Sequence, residues 1–307
     1  MARVRIATRS SALALWQANY IKHELEAAHR GLEVELVALT TSGDRWLSSP
    51  LSEIGGKGLF VKELEAAMME NRADLAVHSM KDVPAQLPDG FVLPVIAFRA
   101  DVRDALVSAA AKSVDSLPDG ARVGSSSLRR RAQLLARRPD LTVVPVRGNV
   151  NTRLDKLDRG DFDALLLACA GLERLGLTER IGQRIAVNDS LPAAGQGALG
   201  IECRADRHDL IALLAPLADA SVAVCVRAER AVSGALGADC SLPIAAYATL
   251  SGRRIELDAL LSDADGRHVL RAHVAGDDAE ALGMAAAARL RSLGADAILD
   301  ELRAGKQ

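Results

Sequence analysis

The chain has 307 residues, 49% of them hydrophobic and 25% charged, with a formal net charge of -2. That length implies two or three domains, each able to bury a substantial core. The slight acidity argues against a general nucleic-acid binder, aromatics at 3% serve base stacking poorly, and no apolar stretch approaches a membrane span, so neither nucleic acid nor membrane is an expected partner.

The first hundred residues alternate in type. A strand-like run at 4–8 is followed by an amphipathic stretch over 11–29, a second strand at 34–39, a helix near 59–69 and a buried strand at 75–78. With no secretory signal before that first strand, a cytoplasmic location is expected. The β-α-β-α-β order predicts a mostly parallel sheet flanked by helices. The rhythm restarts after Arg103, with strands at 105–108, 122–124, 142–146 and 164–168 and helices over 126–137 and 150–159. A Gly-rich passage over 191–201 reads as the chain crossing back to the first domain. A long helix over 219–236, three strand-like runs and an Ala-rich helix near 278–293 then suggest a small α+β domain. The expected division is 1–98 with 198–216, then 103–192, then 219–307.

The stretch Val123-Gly124-Ser125-Ser126-Ser127-Leu128-Arg129-Arg130-Arg131 reads as an anion site. Free N–H groups at a helix start attract negative charge, and arginine forks suit carboxylate or phosphate. One such run alone reads as a solvated basic face. A second strand end, Pro145-Val146-Arg147-Gly148-Asn149 before Arg153, turns the reading toward a compact polyanionic ligand. Arg9-Ser10-Ser11 repeats the arrangement after the first strand. His78-Ser79-Met80-Lys81-Asp82 follows the buried strand and precedes Val83-Pro84, where a ladder cannot simply continue. Lys81-Asp82 is then either a polar turn or a carboxylate at a cleft floor, while His78 reads as a hydrogen-bonded strand-end histidine. Gly55-Gly56-Lys57-Gly58 lacks phosphate-loop spacing and reads better as a lid.

The four cysteines show neither C-x-x-C nor metal-ligand spacing, and no metal is expected. Cys169, Cys203 and Cys225 sit in apolar runs and read as buried, inert thiols. Cys240 differs, lying in a loop bounded by Gly237 and Pro243 where a thiol reaches solvent.

Ala7-Thr8-Arg9, Gly55-Gly56-Lys57-Gly58-Leu59-Phe60, His78-Ser79-Met80-Lys81-Asp82-Val83-Pro84, Ser126-Ser127-Leu128-Arg129-Arg130, Arg147-Gly148-Asn149-Val150 and Gln196-Gly197 together resemble the porphobilinogen deaminase (hydroxymethylbilane synthase) family. The resemblance runs in order and spacing from about residue 3 into the C-terminal domain. It implies two periplasmic-binding-protein-like α/β domains with an active cleft between them, plus a small α+β C-terminal domain. It also implies a monomeric transferase of porphyrin and heme biosynthesis. Four porphobilinogen molecules would be condensed head to tail, with loss of ammonia, onto a covalent dipyrromethane primer. Water would then release hydroxymethylbilane, to be passed to uroporphyrinogen-III synthase.

By the same resemblance, Asp82 is the catalytic aspartate and Cys240 carries the dipyrromethane through a thioether. Arg9, Ser11, Lys81, Ser127, Arg129, Arg130, Arg147, Arg153 and Arg174 bind cofactor or substrate carboxylates, with Phe60 and Gln196 beside the growing chain. The family carries Gly and a small residue before the cysteine, whereas Ala238-Asp239 precede Cys240 here. An adjacent carboxylate disfavours the thiolate. Two other readings use the same arginines. A cytosolic anion-sensing module would need neither Cys240 nor Asp82, and a phosphate-ester enzyme would want an acidic cluster for magnesium that is not evident.

Overall fold

The computed structural model describes residues 3–40, 61–237 and 242–304. The first stretch runs β1 (Arg3–Arg9), α1 (Ala12–Ala28), β2 (Glu33–Leu39), α2 (Lys62–Met69), β3 (Leu75–Ser79) and β4 (Phe91–Arg99). The second has β5 (Asp104–Val107), β6 (Arg122–Gly124), α3 (Leu128–Arg137), β7 (Thr142–Val144), α4 (Val150–Asp158), β8 (Ala164–Ala168), α5 (Cys169–Arg174) and β9 (Gln183–Arg184). Then come β10 (Ala198–Arg204), α6 (His208–Leu214), α7 (Ala220–Ala235), β11 (Ile244–Ser251), β12 (Arg254–Ser262), β13 (Val269–Gly276), α8 (Ala279–Ser292) and α9 (Ala295–Ala304). Local chemistry sets the helix starts. Ser11, Ser127, Asn149, Asp219 and Asp278 each accept a first-turn N–H, meeting donors the helix itself leaves unpaired.

The strands form three sheets, ordered β2-β1-β3-β10-β4, β7-β6-β8-β5-β9 and β11-β12-β13. The architecture is α/β, two helix-flanked sheets with a smaller α+β unit after them, as the sequence implies. The sheets are not mostly parallel, however. β1 runs parallel to β2 and β3, but β10 lies antiparallel to both β3 and β4. In the second sheet β6 is parallel to β7 and β8, while β5 is antiparallel to β8 and β9. The reversal follows from the path of the chain. It leaves the first sheet after β4, builds the second, and re-enters between β3 and β4 as β10.

Two strands and several short helices escape the sequence pattern. β4 contains Pro94 and occupies the edge of its sheet, where a missing N–H costs no ladder bond. Expected bounds elsewhere shift by a few residues, and the start of the helix near 59–69 lies outside the described residues. Ile6, Leu75, Leu199 and Ile201 of the first sheet bury against Ile21 and Leu25 of α1. Cys169, Cys203 and Cys225 are buried, as their apolar surroundings indicate. Among the described residues no single helix is long and apolar enough to cross a membrane.

A buried carboxylate joins the first and third sheets. Glu229 of α7 accepts both terminal nitrogens of Arg99 at 2.7 and 3.1 Å, the Gly195 N–H at 2.7 Å and the Ala248 N–H at 2.9 Å. One side chain thus ties β4, the crossing segment, α7 and β11 together. The turn between β12 and β13 rests on α3 of the second unit, where Arg131 pairs with Asp265 at 2.7 Å. Gly266 in that turn has φ +71°, and any Cβ there would run into the Ala132 carbonyl. Gly266→Ala should therefore cost about 1–3 kcal/mol from backbone strain alone, and more if the turn lifts off α3. A denaturant titration against wild type checks this, and an unchanged midpoint would show that the contact contributes nothing.

Candidate active site

The site begins at the end of β3. A one-turn 3-10 helix, Met80–Asp82, follows the strand and is pinned from three directions. Met80 is fully buried against Gly200, where a Cβ would collide with its sulfur. Gly195, at φ +72°, approaches Met80 from the crossing segment, a backbone shape and a closeness that only glycine allows easily. Beyond the turn, Arg230 of α7 donates to the carbonyls of Val83, Pro84 and Ala85 at 3.1, 2.7 and 3.1 Å. The Asp82 carboxylate is left exposed on this rigid base. It lines an open recess of about 70 Å³ with Arg9, Ser11, Gln17, His78 and Ser79. Ser11 is the N-cap of α1, so a helix start faces the same recess.

Arg129 and Arg130 are not free forks. Both are buried on Asp104, which is itself wholly buried in β5. Arg129 reaches the two carboxylate oxygens at 2.8 and 3.1 Å and also donates to the Leu191 carbonyl at 2.7 Å. Arg130 reaches Asp104 through Nε at 2.9 Å and through a terminal nitrogen at 2.8 Å. Ser190 and Gln196 complete the shell at 2.9 and 3.1 Å. Burial pushes the Asp104 carboxyl upward, but the Arg129 and Arg130 charges outweigh it and hold it far below the usual carboxylate range. Burial also lowers the Arg129 guanidinium, against the pull of Asp104.

Around this pair the cations outnumber the carboxylates. Burial and then the neighbouring Arg130 bring Lys81 down to about 8, with Asp82 and Asp104 opposing. Burial, Arg130 and Arg147 bring Arg153 down to about 10, opposed by Asp82. Arg153 donates to the Gly148 carbonyl at 2.8 Å, and Ser127 caps α3 through the Arg130 N–H. Among the described residues, neither Lys81, Arg147 nor Arg153 has a carboxylate within ion-pair distance. These groups come from both units, so the first and second sheets present their charges to one space.

Two sequence-derived candidates stand elsewhere in the network. Arg174 is buried at the end of α5, donates to the Gly197 carbonyl at 2.6 Å, and lies over Trp16 and Phe98 at 5.6 and 5.4 Å. Burial brings it down to about 10. Gln196 is fully buried and donates to the Val102 carbonyl at 2.6 Å as well as to Asp104. Each holds the crossing segment and shares no contact with Asp82. Phe60, Cys240 and the Gly55-Gly56-Lys57-Gly58 loop lie outside the described residues. Asp104 was invisible as a site residue in the sequence, since its one-dimensional context is an ordinary buried strand. His78 is satisfied as expected, its Nε2 lying 2.7 Å from Glu202.

Residues 4–212 match the family model described as porphobilinogen deaminase, dipyromethane cofactor binding domain, and residues 223–292 match porphobilinogen deaminase, C-terminal domain. Porphobilinogen deaminases from two strains of Acidithiobacillus ferrooxidans are each 54% identical over 300 residues, spanning 98% of this chain and 98% of theirs. Among solved structures, lipoprotein Tp32 from Treponema pallidum is similar over 70% of this chain and 90% of its own, at 14% identity and a TM-score of 0.47, too loosely to carry an argument. The chain belongs to the porphobilinogen deaminase family. It is a transferase of tetrapyrrole biosynthesis that condenses porphobilinogen on a dipyrromethane cofactor, and the sensor alternative finds no support.

The donor set fits that cofactor. Two pyrroles bearing acetate and propionate bring four carboxylates, and the cleft holds a half-buried surplus of cations with helix starts beside them. The surplus depends on Asp104 holding its arginines. Asp104→Asn should cost about 3–5 kcal/mol, because two buried guanidiniums lose their counter-charge. Asp104 is depressed in the folded protein, so its contribution is complete above the ordinary carboxylate range and is lost only on acidification. The gap between variant and wild type should stay constant from pH 8 to 5 and shrink only below about 4. Urea titrations across pH check both size and sign.

Proposed function

We propose that Asp82 carries the chemistry of porphobilinogen condensation and that the surrounding cations hold the carboxylates of substrate and growing chain. The carrying observation is Asp82 itself: an exposed carboxylate on an immobilised turn, lining a recess with Arg9 and close enough to Lys81 and Arg153 to raise both. The carboxylate accepts pyrrole N–H groups and offsets positive charge at the aminomethyl carbon as ammonia leaves. Arg9, Ser11, Lys81, Ser127, Arg147 and Arg153 bind acetate and propionate groups directly. Arg129 and Arg130, held on Asp104, act through their charge, and with Arg174 and Gln196 they position the crossing segment.

Dipyrromethane, held by thioether to Cys240, supplies the nucleophilic ring carbon that begins chain growth. After four additions and hydrolysis the product is hydroxymethylbilane, handed to uroporphyrinogen-III synthase. The protein works as a cytoplasmic monomer. Residues 1–98 with 198–216, 103–192 and 219–307 form its three domains, a division supported by the membership of β10 in the first sheet and of β11–β13 in the third.

Asp82→Asn keeps the shape and an acceptor oxygen but removes the charge. Cofactor loading should survive while turnover falls by roughly two orders of magnitude or more. Asp82→Glu should retain slow turnover and accumulate intermediates. Intact mass of the wild-type protein should exceed the chain mass by two pyrrole units, and Cys240→Ser should abolish the excess. Wild-type turnover in the Asn variant would remove Asp82 from the mechanism, and an adduct mapped to another residue would remove Cys240.

A further inference from the structure

A second set of titratable groups lies behind the recess. β10 pairs with β3 so that Gly200 faces His78 and Glu202 faces Ala76, which makes His78 and Glu202 diagonal neighbours on one face of the sheet. Their side chains meet at 2.7 Å and both are buried, Glu202 completely. α2 covers this face and brings Glu65, also buried, against Glu202. The second Glu202 oxygen is buried with no hydrogen-bond partner. Two ionised carboxylates cannot satisfy each other, but a proton on Glu65 turns it into a donor for that oxygen. Burial, then the Glu202 charge, raise Glu65 to about 7 against the pull of His78 and Lys62. Near neutral pH a proton on Glu65 is therefore placed to be shared with Glu202 between α2 and β10. Its outlet is His78, which lines the Asp82 recess together with Ser79. The charged groups around it are Glu65 and Lys62 from α2, Glu202 from β10, and Arg9 and Asp82 at the recess; α1 contributes only the uncharged Gln17, bonded to Ser79 at 2.7 Å.

We propose that His78, Glu202 and Glu65 form a buried proton relay serving the Asp82 recess during condensation. The inference rests on the condensation reading of this site. Each addition breaks the aminomethyl C–N bond, whose electron pair leaves on ammonia. A C–C bond forms from the electron pair of the attacking pyrrole carbon, and that carbon sheds its proton. His78 accepts the proton, with Glu202 stabilising the imidazolium and Glu65 adjusting the charge on Glu202. The proton then passes to ammonia, which departs as ammonium, so the relay returns to its starting state. A buried His–Glu pair with only a packing role would make no use of a shared proton next to the chemistry.

The test compares cofactor-loaded wild type, His78→Gln and Glu65→Gln. His78→Gln keeps an N–H for Glu202 but takes up no proton. Its kcat should fall by roughly 100-fold, with the acid limb of the pH–rate profile displaced and KM and adduct mass unchanged. Glu65→Gln, a neutral isostere, should fold and lose an ionisation near neutrality from that profile. Independently of activity, the raised Glu65 makes the folded protein bind the extra proton, so wild-type stability should decline as pH rises from about 4.5 to 7. Thermal melts should show that slope flattened in Glu65→Gln. If either variant folds and reproduces both the rate and the pH profile of wild type, or if the slope survives Glu65→Gln, the relay is overturned. Should wild type release no ammonia from porphobilinogen, the condensation reading fails instead, while the slope still reports on the proton.

Discussion

The buried carboxylate of Asp104 is the constraint on which the rest of the cleft depends. It anchors two guanidiniums that would otherwise repel each other, Arg153 beside them and Lys81 of the first unit. A single carboxylate cannot neutralise that much charge. The remainder is an unfilled demand for anions, built into a region from which water is partly excluded, where each charge acts over a lower dielectric. A ligand carrying several carboxylates meets that demand, and each pyrrole added to a growing chain brings two more. An arrangement of fixed cations of this kind is preorganised for a polycarboxylate, and suits it better as carboxylates are added.

Asp104 also reaches the segment that joins the units. Ser190 and Gln196 bond to it, Arg129 bonds to Leu191, and the far end of the same segment is held by Glu229 through Gly195. Arg99 adds a bond to the Gln196 carbonyl at 3.0 Å. Gly195 packs on Met80, so the turn bearing Asp82 touches the crossing as well. The buried arginines, the path between units and the turn bearing Asp82 are therefore joined by one contiguous set of hydrogen bonds and one packing contact. Buried charge here sets geometry more than it adds stability, since desolvation offsets much of what pairing gains.

Much of the site was legible without coordinates, and the reasons are local. Asp82 after a buried strand, Ser11 and Ser127 as helix caps, and arginines at strand ends all follow from short-range rules of capping and punctuation. The legible part stops where partners are distant in sequence. Arg129 and Arg130 read as ligands because nothing near them is acidic; their counter-charge lies 25 residues away in a strand with no polar signature. Arg174 read the same way, yet it caps an aromatic ledge from another unit. The relay of Glu65, Glu202 and His78 joins residues separated by up to 137 positions' worth of chain folded through another unit, with Glu202 and His78 alone 124 apart.

By itself the sequence determined the alternation of strands and helices, the three-part organisation, the anionic character of the ligand and, through serial motifs, the family. These depend on periodicity, caps and residue chemistry, all properties of neighbouring residues. Only the tertiary structure decided the direction of β10 and β5, the edge position that tolerates Pro94, and which arginines face a carboxylate of the protein. Strand direction is fixed by where the chain re-enters a sheet, and charge pairing by which buried groups meet there. Neither quantity has a signature in one dimension, because both are set by loop paths and desolvation that exist only once the chain has folded.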